Sequence, residues 1–514
     1  MTADRFAASA LLLLIIPAYA PAQAPPAEAG LAAADLDAYA RKVLADWHAP
    51  GVALAVVKDD KVILIRGYGV REIGKPEPVD EHTVFDIASC SKAFTVAALA
   101  ILVDEGKVRW TDPVTKYLPG FQLSDPFVTR ELTVRDLLCH RSGLGTFAGD
   151  LVWYNTTYDR AEVLRRARFL KPTTSFRSAF GYQNILYVAA GEIVPAATGT
   201  SWDDFVRDRL FTPLGMSTTV TRAKAVPTNA ATPHTVKADN AIAVPRYNTD
   251  NVAPAAGIHA SVDDLSRWMR LQIGMGEFEG KRIYSATQAR AMWSPQTAMP
   301  LIGDPGRLSA AHLKAYALGW FVSDYNGRLR VEHDGSIDGM YSKVVLLPEL
   351  KAGVVALTNS DTPAAELMCN RAIDGLLGLP PRDRSGEALT RHKARERGAK
   401  LQAERTESAR AKDTKPSLPL GEYAGKYGGD LYGDVAVTLE NEKLILRFVP
   451  APAFVADLEH WQHDTFRVKW RTLNPYIPDG WATFVLDRRG KPAEVRVDCP
   501  NDDFDFTELE LKRR

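Results

Sequence analysis

Apolar residues recur at helical spacing over residues 36–47, which predicts an amphipathic helix. Two apolar runs on either side of Asp59-Asp60, within residues 51–66, then predict a β-hairpin. Gly67-Tyr68-Gly69 trails that hairpin, leads into no helix and lacks a third glycine at the right spacing. It therefore predicts a bulge or turn and not a nucleotide loop.

From residue 83 to about residue 274 helical periodicity dominates, with apolar helices near residues 91–105, 133–138, 161–169, 184–198 and 262–271. Strand-like runs return at residues 331–333, 341–347 and 353–358, separated by Gly and Pro, so one sheet is expected to join the first and last parts of this region. The expectation is an α+β domain over residues 32–381, an antiparallel sheet flanked by helices that gather on one side. Residues 382–416 shift to Arg, Lys, Glu and Ala and predict a charged, solvated helix or linker. Beyond it, short strand-like runs at residues 434–439, 444–448, 466–470, 482–486, 494–498 and 504–511 predict a small all-β barrel or sandwich over residues 417–514.

Composition narrows the partner. With 514 residues and 46% apolar content the chain can bury a large core. Lys plus Arg and Asp plus Glu both number 63, so no electrostatic footprint for nucleic acid or an anionic membrane is present. A small or modestly charged substrate is expected. Residues 1–22 pair an apolar run with small residues at Ala18, Ala20 and Ala22, the pattern of an export signal cleaved after Ala22. No later stretch reaches 18 uninterrupted apolar residues, so an exported, periplasmic or secreted chain without an integral membrane segment is expected. Four cysteines, Cys90, Cys139, Cys369 and Cys499, are too sparse for a disulfide scaffold. Their pairing and the oligomeric state stay open.

The candidate chemistry lies in three motifs that each occur once. Ser89-Cys90-Ser91-Lys92 opens an apolar helix, which places Ser89 and Lys92 on one face. A serine hydroxyl needs a neighbouring base, and a desolvated lysine loses its proton near neutral pH. At a helix start the Ser89 N–H is also free to donate to a developing oxyanion. A capping serine beside a surface lysine would give the same four letters. Tyr182-Gln183-Asn184 precedes another helix; a phenol beside a lysine ammonium would ionise more easily and relay a proton, and Asn184 could donate to a substrate amide. His333-Asp334-Gly335-Ser336 falls on a strand, where the absent side chain of Gly335 would let a substrate backbone lie against the edge and the Ser336 N–H would be a second oxyanion donor.

In this order the three motifs resemble the serine β-lactamase and penicillin-binding-protein superfamily, and more narrowly its peptidase S12 branch with class C β-lactamases, D-alanyl-D-alanine carboxypeptidases and D-aminopeptidases. Supporting stretches are residues 132–143, which include Cys139 and His140, Pro213-Leu214-Gly215-Met216, residues 255–265 and Leu318-Gly319-Trp320. The C-terminal region resembles the lipocalin-like β-domain appended to some of these enzymes. The resemblance implies that Ser89 forms the acyl-enzyme, that Lys92 and Tyr182 share acid and base work, and that Asn184 and His333 orient the substrate. It implies no metal or cofactor. His333 stands where β-lactamases usually carry a lysine that holds the β-lactam carboxylate, which resembles the peptidase and D-amidase members. A peptidase or amidase on short or D-residue-containing peptides, including linearised cyclic ones, is thus expected ahead of a carboxylesterase or β-lactamase. A non-catalytic binding or sensor protein is the alternative from another class. No Gly-x-Ser-x-Gly elbow, His-Glu-x-x-His or phosphate loop is present. Pocket walls are expected from residues 147–173, 226–251 and 299–314.

Overall fold

The computed structural model describes residues 32–301, 311–501 and 503–514; the expected export signal at residues 1–22 lies outside them. An eight-stranded antiparallel sheet is built from β1 (Gly51–Lys58), β2 (Lys61–Gly69), β3 (Thr297–Ala298), β4 (Lys314–Tyr316), β5 (Phe321–Tyr325), β6 (Arg328–Ile337), β7 (Met340–Leu347) and β8 (Ala352–Thr358). Its order is β2-β1-β8-β7-β6-β5-β4-β3, so the N-terminal hairpin pairs with the last strand of the domain. The helices that matter to the site are α1 (Ala33–Trp47), α2 (Ser91–Asp104), α3 (Asp150–Trp153), α4 (Ile185–Thr198), α5 (Val262–Ile273), α6 (Ala364–Leu376) and α7 (Arg384–Ser408).

Strand β1 shows why the layers form. Successive side chains point to opposite faces. Ala53, Ala55 and Val57 join one apolar cluster with α2, α4 and α5, while Val52, Leu54 and Val56 join another with α1 and α6. Helices therefore cover both faces of the sheet, whereas the sequence pattern suggested one. A strand buried on both faces reads as one continuous apolar run and hides which neighbours lie on which side. Gly67 and Gly69 lie inside β2, opposite Ala53 and Gly51, and not in a separate turn. A Cβ at Gly67 would stand 2.1 Å from the Val79 carbonyl oxygen, so the glycine serves a close backbone approach.

After α7, whose exposed half carries the charged composition, a closed barrel follows: β9 (Gly425–Gly429), β10 (Gly433–Glu440), β11 (Lys443–Phe448), β12 (Val455–Gln462), β13 (Thr465–Trp470), β14 (Gly480–Leu486), β15 (Pro492–Asp498) and β16 (Leu511–Arg513). Two of these strands escape the sequence pattern. β9 is glycine-rich, and β12 carries a register shift between His460 and Gln462 that breaks the alternation of apolar positions. The run expected at residues 504–511 is instead a 3-10 turn, Phe506–Leu509, ahead of the short β16. The barrel docks on the segment that carries α3. The Gly149 N–H donates to Glu508 Oε2 (3.0 Å), the Thr157 N–H to the Pro450 carbonyl (2.8 Å) and the Tyr158 hydroxyl to the Tyr432 carbonyl (2.8 Å).

Candidate active site

Ser89 stands in a single 3-10 turn, Ala88–Cys90, that runs directly into α2. Ala88, immediately before it, has φ +44°, a left-handed conformation that costs a non-glycine residue on the order of 1–3 kcal/mol and persists only where the surroundings enforce it. Helix α2 is apolar on every side and buried from Ser91 to Leu102, so Lys92 at its first turn has no route to solvent. Its Nζ lies 3.0 Å from Ser89 Oγ, 2.6 Å from Asn184 Oδ1 and 3.2 Å from the Ala255 carbonyl oxygen. Two of these partners only accept. A neutral amine satisfies both with its two protons and keeps its lone pair for the Ser89 hydroxyl. Burial pushes the Lys92 pKa down from 10.5 to about 7, against the opposing pull of the Asp150 carboxylate.

Asn184 is held between two ionisable groups. Its Oδ1 accepts from Lys92, and its Nδ2 donates to Asp150 Oδ2 (2.6 Å). Asp150, at the start of α3, also accepts from Trp153 Nε1 (2.8 Å), and burial raises its carboxyl to about 7. The Tyr182 ring packs on His140, with centroids 4.2 Å apart, and Lys92 Nζ sits 4.7 Å from the Tyr182 ring centroid. Burial drives the Tyr182 phenol well above 10, and a hydrogen bond with Ser89 pulls the other way.

On the facing strand, β5 pairs with β6 only over residues 328–332, so among the described residues the stretch 333–337 keeps an unpaired edge on that side. His333 turns inward, with Nε2 2.9 Å from the Tyr316 hydroxyl and Nδ1 2.6 Å from the Asp334 carbonyl oxygen. Burial lowers its pKa to about 4, so the ring is uncharged at neutral pH. Ser336 Oγ meets the Tyr476 hydroxyl of the barrel at 2.5 Å. A cavity of about 440 Å³ opens over Ser89, walled by Phe147, Trp153, Phe180, Phe321 and, from the barrel side, Tyr476 and Phe504. Among the described residues no group of three or more His, Cys, Asp or Glu side chains gathers as metal ligands.

The family described as Beta-lactamase matches residues 36–377. The chain belongs to the beta-lactamase family. A second family, described as Domain of unknown function (DUF3471), matches residues 409–513. The chain is 28% identical over 431 residues to an unguisins hydrolase of Aspergillus campestris, covering 79% of this chain and 78% of that protein. It is 27% identical over 319 residues to Protein flp of Staphylococcus aureus, 61% of this chain and 60% of that one. Among solved structures, the octameric penicillin-binding protein homologue from Pyrococcus abyssi superposes with a TM-score of 0.62 at 21% identity, over 93% of this chain and 99% of that one. D-amino acid amidase from Ochrobactrum anthropi gives 0.55 at 23%, over 67% and 98%. These structures share the fold.

Within this beta-lactamase family member the seven residues singled out in the sequence meet at one place, but four differ in detail from expectation. Tyr182 does not ionise more easily: burial outweighs the hydrogen bond with Ser89, although the Lys92 amine stands 4.7 Å from the ring centroid. Asn184 has both amide atoms engaged, Oδ1 by Lys92 and one Nδ2 hydrogen by Asp150, so its first task is to hold the lysine. His333 is committed to protein partners on both nitrogens. Gly335 faces the nucleophile turn: a Cβ there would lie 2.2 Å from the Ile87 carbonyl oxygen and 2.8 Å from the Ser89 nitrogen. Residues 226–251 contain a small hairpin, His234–Lys237 paired with Asn240–Ala243, and none of them lines the cavity. Cys90 lies beneath the site, 3.4 Å from the His333 carbonyl oxygen, and burial pushes its thiol up to about 12, as suits a packing residue.

Sequence reasoning missed Asp150, Tyr316 and the barrel residues Tyr476 and Phe504, none of which belongs to a motif. His140 was in plain view in the supporting stretch 132–143. Its Nδ1 accepts from the Gln183 N–H (2.9 Å), which fixes the neutral tautomer beneath Tyr182. The close approach at Gly335 yields a prediction. Gly335→Ala should displace the Ser89 turn and lower kcat by about 10²-fold, the scale of a misplacement of about 1 Å, with a smaller change in KM. Steady-state kinetics beside a thermal melt would check it, and unchanged kcat would contradict the steric reading.

Proposed function

We propose that the protein is an exported serine amidase or peptidase that cleaves short peptides, D-residue-containing ones included, through an acyl-enzyme on Ser89. The observation that carries this reading is the buried Lys92 amine, 3.0 Å from Ser89 Oγ and lowered to about 7. The amine takes the hydroxyl proton as Oγ attacks the carbonyl carbon. The oxyanion is held by the Ser89 and Ser336 N–H groups. Tyr182, neutral, passes a proton to the leaving nitrogen as the C–N bond breaks, and Lys92 returns one to it. Water then cleaves the ester by the same steps in reverse order. Asn184 and His333 hold the lysine and the strand edge in place.

Two features favour amides and peptides over β-lactams. The uncharged His333 offers no cation for a β-lactam carboxylate at that position, and the aromatic walls suit a bulky apolar residue beside the scissile bond. An unguisins hydrolase among the similar proteins agrees with hydrolysis, and a D-amino acid amidase among the similar structures agrees with amide cleavage. The signal pattern of residues 1–22 supports export.

A panel of D- and L-aminoacyl amides, short peptides, short esters and nitrocefin tests the proposal. Aromatic D-aminoacyl amides should be turned over at least about tenfold faster than their L counterparts, the discrimination one misplaced side chain brings in an apolar pocket. Turnover of esters alone would replace the amidase reading with a carboxylesterase, and efficient nitrocefin hydrolysis would replace it with a β-lactamase.

A further inference from the structure

A second and larger cavity, of about 1110 Å³, opens on the opposite face of the sheet, between β6, β7, the start of α6 and the first half of α7. It adjoins the catalytic cavity: Ser336 and Lys314 line both. Its character is different. Where the catalytic cavity is aromatic, basic side chains in this cleft outnumber carboxylates seven to four.

Helix α7 explains part of that excess. A helix laid over a domain ordinarily turns an apolar stripe to it. Here Arg384, Ala388, Arg391 and Arg395, which share one helical face, line the cleft. The helix is anchored beside it by Arg384 to Asp374 (2.8 Å) and by Ser385 Oγ to Asp46 (2.6 Å), while Arg391 and Arg395 form no ion pair among the described residues. The floor adds no net excess. Arg330 and Lys343, 9% and 7% exposed, share the Glu332 carboxylate at 2.6 and 2.8 Å, and Arg330 Nε has no hydrogen-bond partner among the described residues. The more distant Asp334 and Glu366 also act on Lys343, so the floor is close to balanced and the uncompensated charge lies toward α7. Glu387, on the same stretch of α7, is paired with Arg382, so the guanidinium groups of Arg391 and Arg395 outnumber the carboxylates left to them and favour an anionic guest.

We propose that a peptide too long for the catalytic cavity continues past Ser336 and Lys314 into this cleft, and that the protein favours substrates whose trailing segment carries carboxylates. The proposal rests on the amidase reading of Ser89 and adds to it a substrate class. The wall shared at Ser336 and Lys314 makes the guest an extension of the substrate and not a separate small anion. The two arginines of α7 would meet its carboxylates, while the aromatic wall over Ser89 holds the residue being cleaved.

Binding and turnover separate the two claims. In the Ser89→Ala protein, fluorescence anisotropy compares two labelled peptides that share an aromatic D-residue and differ in a tail of three glutamates or three glutamines. The glutamate peptide should bind about 3- to 30-fold tighter at low salt, the range two or three exposed ion pairs supply, and the advantage should shrink as salt rises. R391E/R395E should erase or reverse it. In the protein with Ser89 intact, that double variant should leave turnover of a tail-less aminoacyl amide unchanged while lowering kcat/KM for the glutamate-tailed peptide by a similar factor. Equal binding of the two tails, or an advantage that survives the double variant, overturns the cleft. A charge-dependent binding preference without turnover of any amide overturns the amidase reading and leaves the cleft standing.

Discussion

Ser89→Ala is expected to abolish covalent labelling by a fluorophosphonate and to lower kcat by about 10⁴- to 10⁶-fold, the range seen when a serine nucleophile is removed. The change deletes one oxygen. Gly335 still packs against the turn, Lys92 keeps Asn184 and the Ala255 carbonyl, and the fold loses no buried apolar contact. The thermal midpoint should therefore move little. Intact mass spectrometry reads the outcome directly: the unchanged chain should gain one adduct and the variant none. An adduct retained by the variant would place the nucleophile elsewhere, and an unlabelled unchanged chain would favour a non-catalytic role.

Lys92→Met should cost about 10²- to 10⁴-fold in kcat/KM, the worth of a positioned general base, while raising stability. The two effects have one origin. Burial holds the amine at about 7 in the folded chain against 10.5 ordinarily. Below about pH 7 the ammonium is buried at its full cost. Between pH 7 and about 10.5 the unfolded chain binds the extra proton, so stability rises with pH across that window. Methionine has no proton to shed, so the variant should melt higher at neutral pH and lose that slope. Catalysis requires the neutral amine, so kcat/KM of the unchanged chain should rise through about pH 7. A pH-independent rate between pH 5.5 and 8.5 would exclude Lys92 as the base, and a lower melting point in Lys92→Met would show that its hydrogen bonds outweigh its desolvation.

Much of the site was legible because its first elements are local. Ser89 and Lys92 are one helical turn apart, and an apolar run after them reads as a buried helix from periodicity alone. His333 and Gly335 alternate on a strand whose apolar partners are equally plain. The roles of Asn184 and Gly335 were harder to see. Each depends on what stands opposite it: Asp150 for the amide, and the Ile87 carbonyl for the missing Cβ. Those neighbours come from segments more than thirty residues away with no motif of their own, so no spacing rule reaches them. The barrel was expected as a separate β unit, and its character was readable from short alternating runs. That Tyr476 and Phe504 wall the catalytic cavity was not, because loop placement follows from docking and not from periodicity.

The sequence by itself determined the main helices, the N-terminal hairpin, most barrel strands, and the three motifs and their order along the chain, since each is set by interactions within a few residues. Only the tertiary structure decided that Lys92 is desolvated, that Tyr182 stays neutral, that helices cover both faces of the sheet, and that a basic face of α7 roofs a cleft beside the site. Protonation and charge complementarity depend on how much water and which opposing charges surround a group, and burial of that kind exists only once distant segments have packed together.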